Sequence, residues 1–164
     1  MEKQKIHLPE IRLIGLMVRT NNKNEMVNET SKISKLTSLY WGEKIANNIK
    51  HRSKPGTTYA VYTDFESNEY GDYTYFIGEA VHSFESQDLD SFKKITISES
   101  AYQKFTTIPG EMPNVVVSAW QEIWKMKEAD FGGKRKYVAD FEIYDERASD
   151  QNSAIIDIYI GVEV

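Results

Sequence analysis

Tyr137-Val138-Ala139-Asp140-Phe141-Glu142-Ile143-Tyr144-Asp145 sets Glu142 in a run of aromatic and β-branched residues. That composition reads as a β-strand. Period-two alternation puts Glu142 and Tyr144 on one face and turns Phe141 and Ile143 to the other. If the Glu142 face is enclosed, its carboxylate loses hydration, which costs on the order of several kcal/mol per ion. The group must then protonate, acquire a cation, or serve chemistry.

Working outward, a second strand spans 154–162, across a charged loop (145–153) that reads as mobile. Before the quoted stretch, Gly132-Gly133 interrupts the chain and Lys134-Arg135-Lys136 reads as a solvated turn. Upstream of these glycines, Ala119, Trp120, Ile123 and Trp124 recur at helical spacing within a helix predicted over 115–127. A strand at 101–107 precedes it, across Pro109-Gly110 and Met112-Pro113.

The first half has the same order. Residues 10–19 form a strand apolar on both faces, hence interior. A helix starting at Thr30 or Ser31 and running to about Lys50 carries Ile33, Leu36, Tyr40, Ile45 and Ile49 along one side. Ser53-Lys54-Pro55-Gly56 ends it, and strands 57–65 and 73–82 form a hairpin across a polar loop, 66–72. The fold class is α+β: tandem strand–helix–strand–strand modules, about 1–84 and 92–164. Two such units pair about a pseudo-twofold axis, with both helices behind antiparallel sheets whose open faces make a concave groove.

Composition narrows the function. A 164-residue chain buries roughly 70% of its unfolded surface, enough for a core without staples. The absence of cysteine excludes disulfides, thiolate zinc sites and a cysteine nucleophile. His7, His51 and His82 show no ligand spacing, so no metal and no cofactor is expected. No apolar run approaches ~20 residues and the N-terminus lacks a signal-peptide core, so a cytoplasmic protein without membrane contact is expected. A formal charge of −5 argues against a phosphate-backbone partner and suits a cationic small molecule.

Several short motifs occur in a definite order: Gly56-x-x-Tyr59-Ala60-Val61-Tyr62-Thr63, Asp72-Tyr73-x-Tyr75-x-Ile77-Gly78 and Gly110-x-Met112-Pro113. Ala119-Trp120-x-x-Ile123-Trp124, Asp140-Phe141-Glu142-x-Tyr144 and Ile156-x-Ile158-Tyr159-Ile160 follow. Together they resemble the GyrI-like small-molecule-binding domain, also known as the AraC-type or bacterial transcription-activator effector-binding domain. The resemblance implies the tandem fold, a central ligand groove, and a groove-facing acid at Glu142 that contacts bound, often cationic, aromatic compounds. Regulator members carry a helix-turn-helix domain besides; no residues remain here to build one, so the likeness is to standalone members. Some of those resemble gyrase-inhibitory proteins, and others hydrolyse cyclopropane-bearing, DNA-alkylating natural products.

The candidate ligand-binding residues are Glu142, Tyr144, Tyr59, Tyr73, Tyr75, Tyr159, Trp41 and Trp120. Alternation groups Tyr59 with Val61 and Thr63, and Tyr73 with Tyr75 and Ile77. Core packing competes for Trp120 and Trp124, and Lys104 or Arg135 is able to neutralise Glu142 in place of a ligand. Three readings stand at this point. One is binding of a hydrophobic, planar, cationic molecule with Glu142 as counter-charge. Another is a hydrolase in which Glu142 draws a proton from water while Tyr144 or Tyr159 stabilises the developing oxyanion. The third is a protein partner recognised through acidic Glu66, Glu69 and Asp72.

Overall fold

The computed structural model describes all residues, Met1–Val164. Eight strands form one antiparallel sheet: β1 (Glu2–Leu8), β2 (Ile11–Thr20), β3 (Thr58–Thr63), β4 (Tyr73–Ala80), β5 (Lys93–Ile97), β6 (Ser100–Thr106), β7 (Ala139–Tyr144) and β8 (Asp157–Gly161). Two longer helices, α2 (Ile33–Gly42) and α3 (Asn114–Trp124), accompany single turns at α1 (Asn22–Glu25) and α4 (Glu128–Phe131).

The strand order β1-β6-β8-β7-β3-β4-β2-β5 reads alike from either end. One half is built on β2–α2–β3–β4 and the other on β6–α3–β7–β8, and the two meet where β3 pairs with β7. The tandem arrangement and its pseudo-twofold are therefore present. The strand preceding each half adds to the edge of the other: β1 pairs with β6, and β5 with β2. Ser98 and Glu99 alone join β5 to β6, although these strands lie near opposite ends of the order. The sheet must therefore roll over on itself. Leu13, Val61, Phe76, Ile97, Tyr102, Phe141 and Tyr159 share a core on the enclosed face.

The opposite face carries the helices. Helix α2 covers Ile14 of β2 and Ile77 of β4, whereas α3 places Val116, Ala119, Trp120 and Ile123 over Phe105, Ile156, Ile158 and Ile160. This differs from helices behind an open face. Both faces of the sheet are apolar, and the rolled one is filled by strand side chains alone, so the helices pack beside the groove. They stand over the two outer parts of the sheet and leave β3 and β7 between them as a floor.

Local chemistry explains the elements. Glu25 caps α2 from a distance, its carboxylate accepting the Lys32 and Ile33 N–H groups at 2.9 and 3.0 Å. The helix stops at Gly42, because Lys44 adopts a left-handed conformation (φ 50°). A separate 3-10 turn then covers Ile45–Asn48, short of the continuous helix expected. Gly15 pairs with Gly78. A Cβ at Gly78 would lie 2.1 Å from the Ile14 carbonyl oxygen, so only glycine allows β2 and β4 this close. The 145–153 loop is tied down: Arg147 binds Asp145 at 2.9 Å and Asp157 of β8 at 2.6 Å. No helix is long and apolar enough to cross a membrane.

Candidate functional site

Between α2 and α3 lies a cavity of about 480 Å³ with Glu142 on its floor. Glu142 stands opposite Ala60 on β3 and Ile158 on β8, two side chains without polar atoms, and is 2% exposed. Its carboxylate is held by three donors. Tyr144 donates its hydroxyl to Oε1 at 2.5 Å. Trp120 donates its indole N–H to Oε2 at 2.6 Å, and the Tyr62 hydroxyl donates to the same oxygen at 3.1 Å.

No lysine, arginine or histidine forms an ion pair with it. The two cations that the sequence offers are engaged elsewhere, and Lys104 lies in register with Tyr159 on the opposite face of the sheet. Lys104 pairs with Asp157 at 3.6 Å. Arg135 pairs with Asp140 at 2.8 Å and lies over the Tyr137 ring, 4.4 Å from its centroid. The protein thus buries an acid without a counter-charge. Burial pushes the Glu142 carboxyl above the ordinary glutamate range, and the bonds from Tyr144, Trp120 and Tyr62 offset only part of that. The hydroxyls of Tyr62, Tyr75 and Tyr144 are held well above the usual phenol range, by burial first and the Glu142 charge second. They therefore remain donors.

Aromatic faces wall the cavity. Tyr62 contacts Tyr73, Tyr75 and Trp120, with ring centroids 5.6, 5.3 and 5.3 Å apart. On the α2 side Trp41 meets Tyr144 edge-on at 5.7 Å, and on the α3 side Trp124 lies 6.5 Å from Trp120. Trp41 and Trp124 remain about half exposed at the rim. At the other end of the cavity Tyr137 donates to Glu69 at 2.6 Å, and Tyr73 donates to Asn22 at 3.0 Å. No group of three or more His, Asp or Glu side chains is arranged to hold a metal ion. What the arrangement offers chemically is a carboxyl group with no cationic partner, shielded from water and surrounded by π faces.

A family model described as Cass2, integron-associated effector-binding protein, matches residues 6–162. The chain belongs to the Cass2 family. This is the GyrI-like effector-binding group to which the ordered motifs pointed. Among the relatives of this Cass2 chain is YobU of Bacillus subtilis (strain 168), named as a candidate transcriptional regulator. The two are 29% identical over 160 residues, covering 96% of this chain and 95% of YobU. An integron cassette protein from the mobile metagenome of Vibrio cholerae superposes with a TM-score of 0.73 at 27% identity, covering 98% of this chain and 95% of that one. SAV2435, solved bound to tetraphenylphosphonium, superposes with a TM-score of 0.78 at 19% identity, covering 99% and 94%.

Of the side chains singled out from sequence, Glu142, Tyr144, Tyr73, Tyr75, Trp41 and Trp120 line this cavity. Tyr59 and Tyr159 do not. Tyr159 pairs in register with Phe141, stacks on its ring at 4.7 Å, and so shares the face opposite Glu142. Tyr59 also packs on Phe141, at 5.8 Å. The residue missed on β3 is Tyr62, which alternation assigns to the face opposite Tyr59. Tyr137, Phe65 and Trp124 also line the cavity. In the acidic loop Glu66 is exposed, whereas Glu69 accepts from Tyr137 and Asp72 accepts the Asn21 amide at 2.9 Å.

Proposed function

We propose that this Cass2-family protein binds hydrophobic, aromatic, cationic small molecules, with Glu142 as the counter-charge. One observation carries the reading: a 2% exposed carboxylate with three donors and no cation, on the floor of an aromatic-walled cavity. A cation seated there gains Coulomb attraction in a medium less screening than water, and each ring face adds roughly 0.5–2 kcal/mol. SAV2435, which shares the fold and was solved with tetraphenylphosphonium, supports the same ligand class. Calorimetric titration of the protein with tetraphenylphosphonium tests the reading; saturable one-site binding is expected, and its absence would refute it.

Hydrolysis of cyclopropane-bearing alkylators would call on Glu142 and Tyr144 too. The geometry favours binding, because the Tyr144 hydroxyl is already committed to Glu142 Oε1 and both Trp120 and Tyr62 occupy Oε2. Mass spectrometry after incubation with such a compound separates the two. The binding reading expects recovery of the intact ligand, and a product heavier by one water would establish the hydrolase.

A further inference from the structure

We propose that this site sorts cations by hydrogen-bonding capacity, taking onium ions whose charge bears no N–H over protonated amines, amidines and guanidines of the same shape. The proposal rests on the cation-binding reading above and adds what kind of cation is preferred.

A carboxylate has about four acceptor positions. In Glu142 three are filled: one on Oε1 by Tyr144, two on Oε2 by Trp120 and Tyr62. The Trp120 indole can only donate, so no proton rearrangement turns it into an acceptor for a ligand. It cannot easily withdraw either, since Trp120 is packed with Val116 and Ile123 in the core under α3. The other acids of the cavity are engaged as well. Asp140 holds Arg135, and Glu69 holds Tyr137. Glu25 accepts from Thr20, Ser31 and two backbone N–H groups.

An ammonium entering this cavity brings three donors and a guanidinium brings five. Glu142 has room for one of them. Donors stripped of water and left unmatched oppose binding. A quaternary ammonium or phosphonium gives up no donor to the site and receives the charge and π-face attraction undiminished. The bonds that hold the anion in place thereby set which cations it accepts.

The test is titration calorimetry of the full chain at neutral pH with (2-naphthylmethyl)trimethylammonium, 2-naphthylmethylammonium and tetraphenylphosphonium. The quaternary naphthyl ion is expected to bind at least about tenfold more tightly than the primary one, a difference of about 1.4 kcal/mol. Extra methyl groups favour it in any apolar pocket, so the deciding readout is how that ratio changes in Tyr144→Phe. There Oε1 has lost its donor, the primary ammonium gains an acceptor, and the ratio is expected to narrow severalfold. Tyr62→Phe, which frees a position on Oε2, gives the same readout independently. Equal affinity for the two naphthyl ions, or a ratio unmoved in both variants, overturns the selectivity while tetraphenylphosphonium binding leaves the underlying reading standing. Failure of all three compounds to bind overturns both.

Discussion

Replacing Glu142 by glutamine removes the charge and leaves the shape. The glutamine carbonyl oxygen can accept from Trp120 and Tyr62 where Oε2 did, and its NH₂ can donate to the Tyr144 oxygen once that hydroxyl turns. The fold is therefore expected to survive and the affinity for cations to fall. Unit charges about 5 Å apart at an effective dielectric of about 20 attract by about 3 kcal/mol, which corresponds to a loss of about a hundredfold in Kd. Calorimetry with tetraphenylphosphonium and with the neutral triphenylphosphine oxide separates charge from shape. Glu142→Gln should bind the cation about a hundredfold more weakly and the neutral compound within about twofold of wild type. An unchanged Kd for tetraphenylphosphonium would refute the counter-charge role.

The same variant carries a stability signature of opposite sign. Burial raises the Glu142 pKa in the folded state, so between the unfolded and folded values the native protein binds more protons than the unfolded chain. Stability from this group is thus present below the ordinary glutamate range and lost as pH rises through the folded pKa. Glu142→Gln should melt higher than wild type at neutral pH, with the gap closing in acid. Melting temperatures across that range measure it.

Cation affinity in the wild type should fall as pH drops through the raised Glu142 pKa, because the protonated acid has no charge to offer. With a permanently charged ligand the profile should be flat in Glu142→Gln, and titrations at successive pH values decide it. Gly78→Ala should cost at least about 3 kcal/mol, since the new Cβ meets backbone at 2.1 Å and no side chain can yield; urea midpoints measure the loss. Trp41→Ala, which removes a half-exposed wall, should weaken tetraphenylphosphonium by about fivefold, on the order of one cation–π contact. Tyr59→Phe on the opposite face should leave that Kd unchanged. Equal effects of these two substitutions would contradict the assignment of faces.

Glu142 and Tyr144 were legible because alternation within one strand is local: whatever the strand meets, those two side chains share a face. Alternation grouped the β3 residues correctly too, yet it gave no way to decide which group met the groove. Tyr59 and Val61 on one side and Ala60 and Tyr62 on the other are equally apolar sets, and the choice is made by pairing with β7, where Ala60 faces Glu142 and Val61 faces Phe141. Tyr159 went the same way, through its register with Phe141. The edge strands β1 and β5 gave little signal because each carries only a two-residue apolar alternation, Ile6 with Leu8 and Ile95 with Ile97, behind a run of exposed polar side chains, and their pairing comes from β6 and β2.

Trp120 shows why core and site could not be opposed as alternatives. Helical spacing identified it as a core residue, and it is 9% exposed among Val116, Ile123 and Ile158. Yet a buried indole N–H requires an acceptor, and across this interface it finds the Glu142 carboxylate. The helix therefore packs where its tryptophan can reach an acid, and the acid is tolerated because the tryptophan reaches it. What three neutral donors cannot supply is positive charge: they satisfy the oxygens and leave the carboxyl pKa raised. A lysine in the cavity would remove that residual cost and the binding site with it. On this reasoning the instability at Glu142 is the source of cation affinity, and a variant that relieves it from within, Ala60→Lys on the facing β3 position, should gain resistance to neutral-pH melting only if it forfeits tetraphenylphosphonium. A variant folded, thermally stabilised and still binding at wild-type strength would break that link.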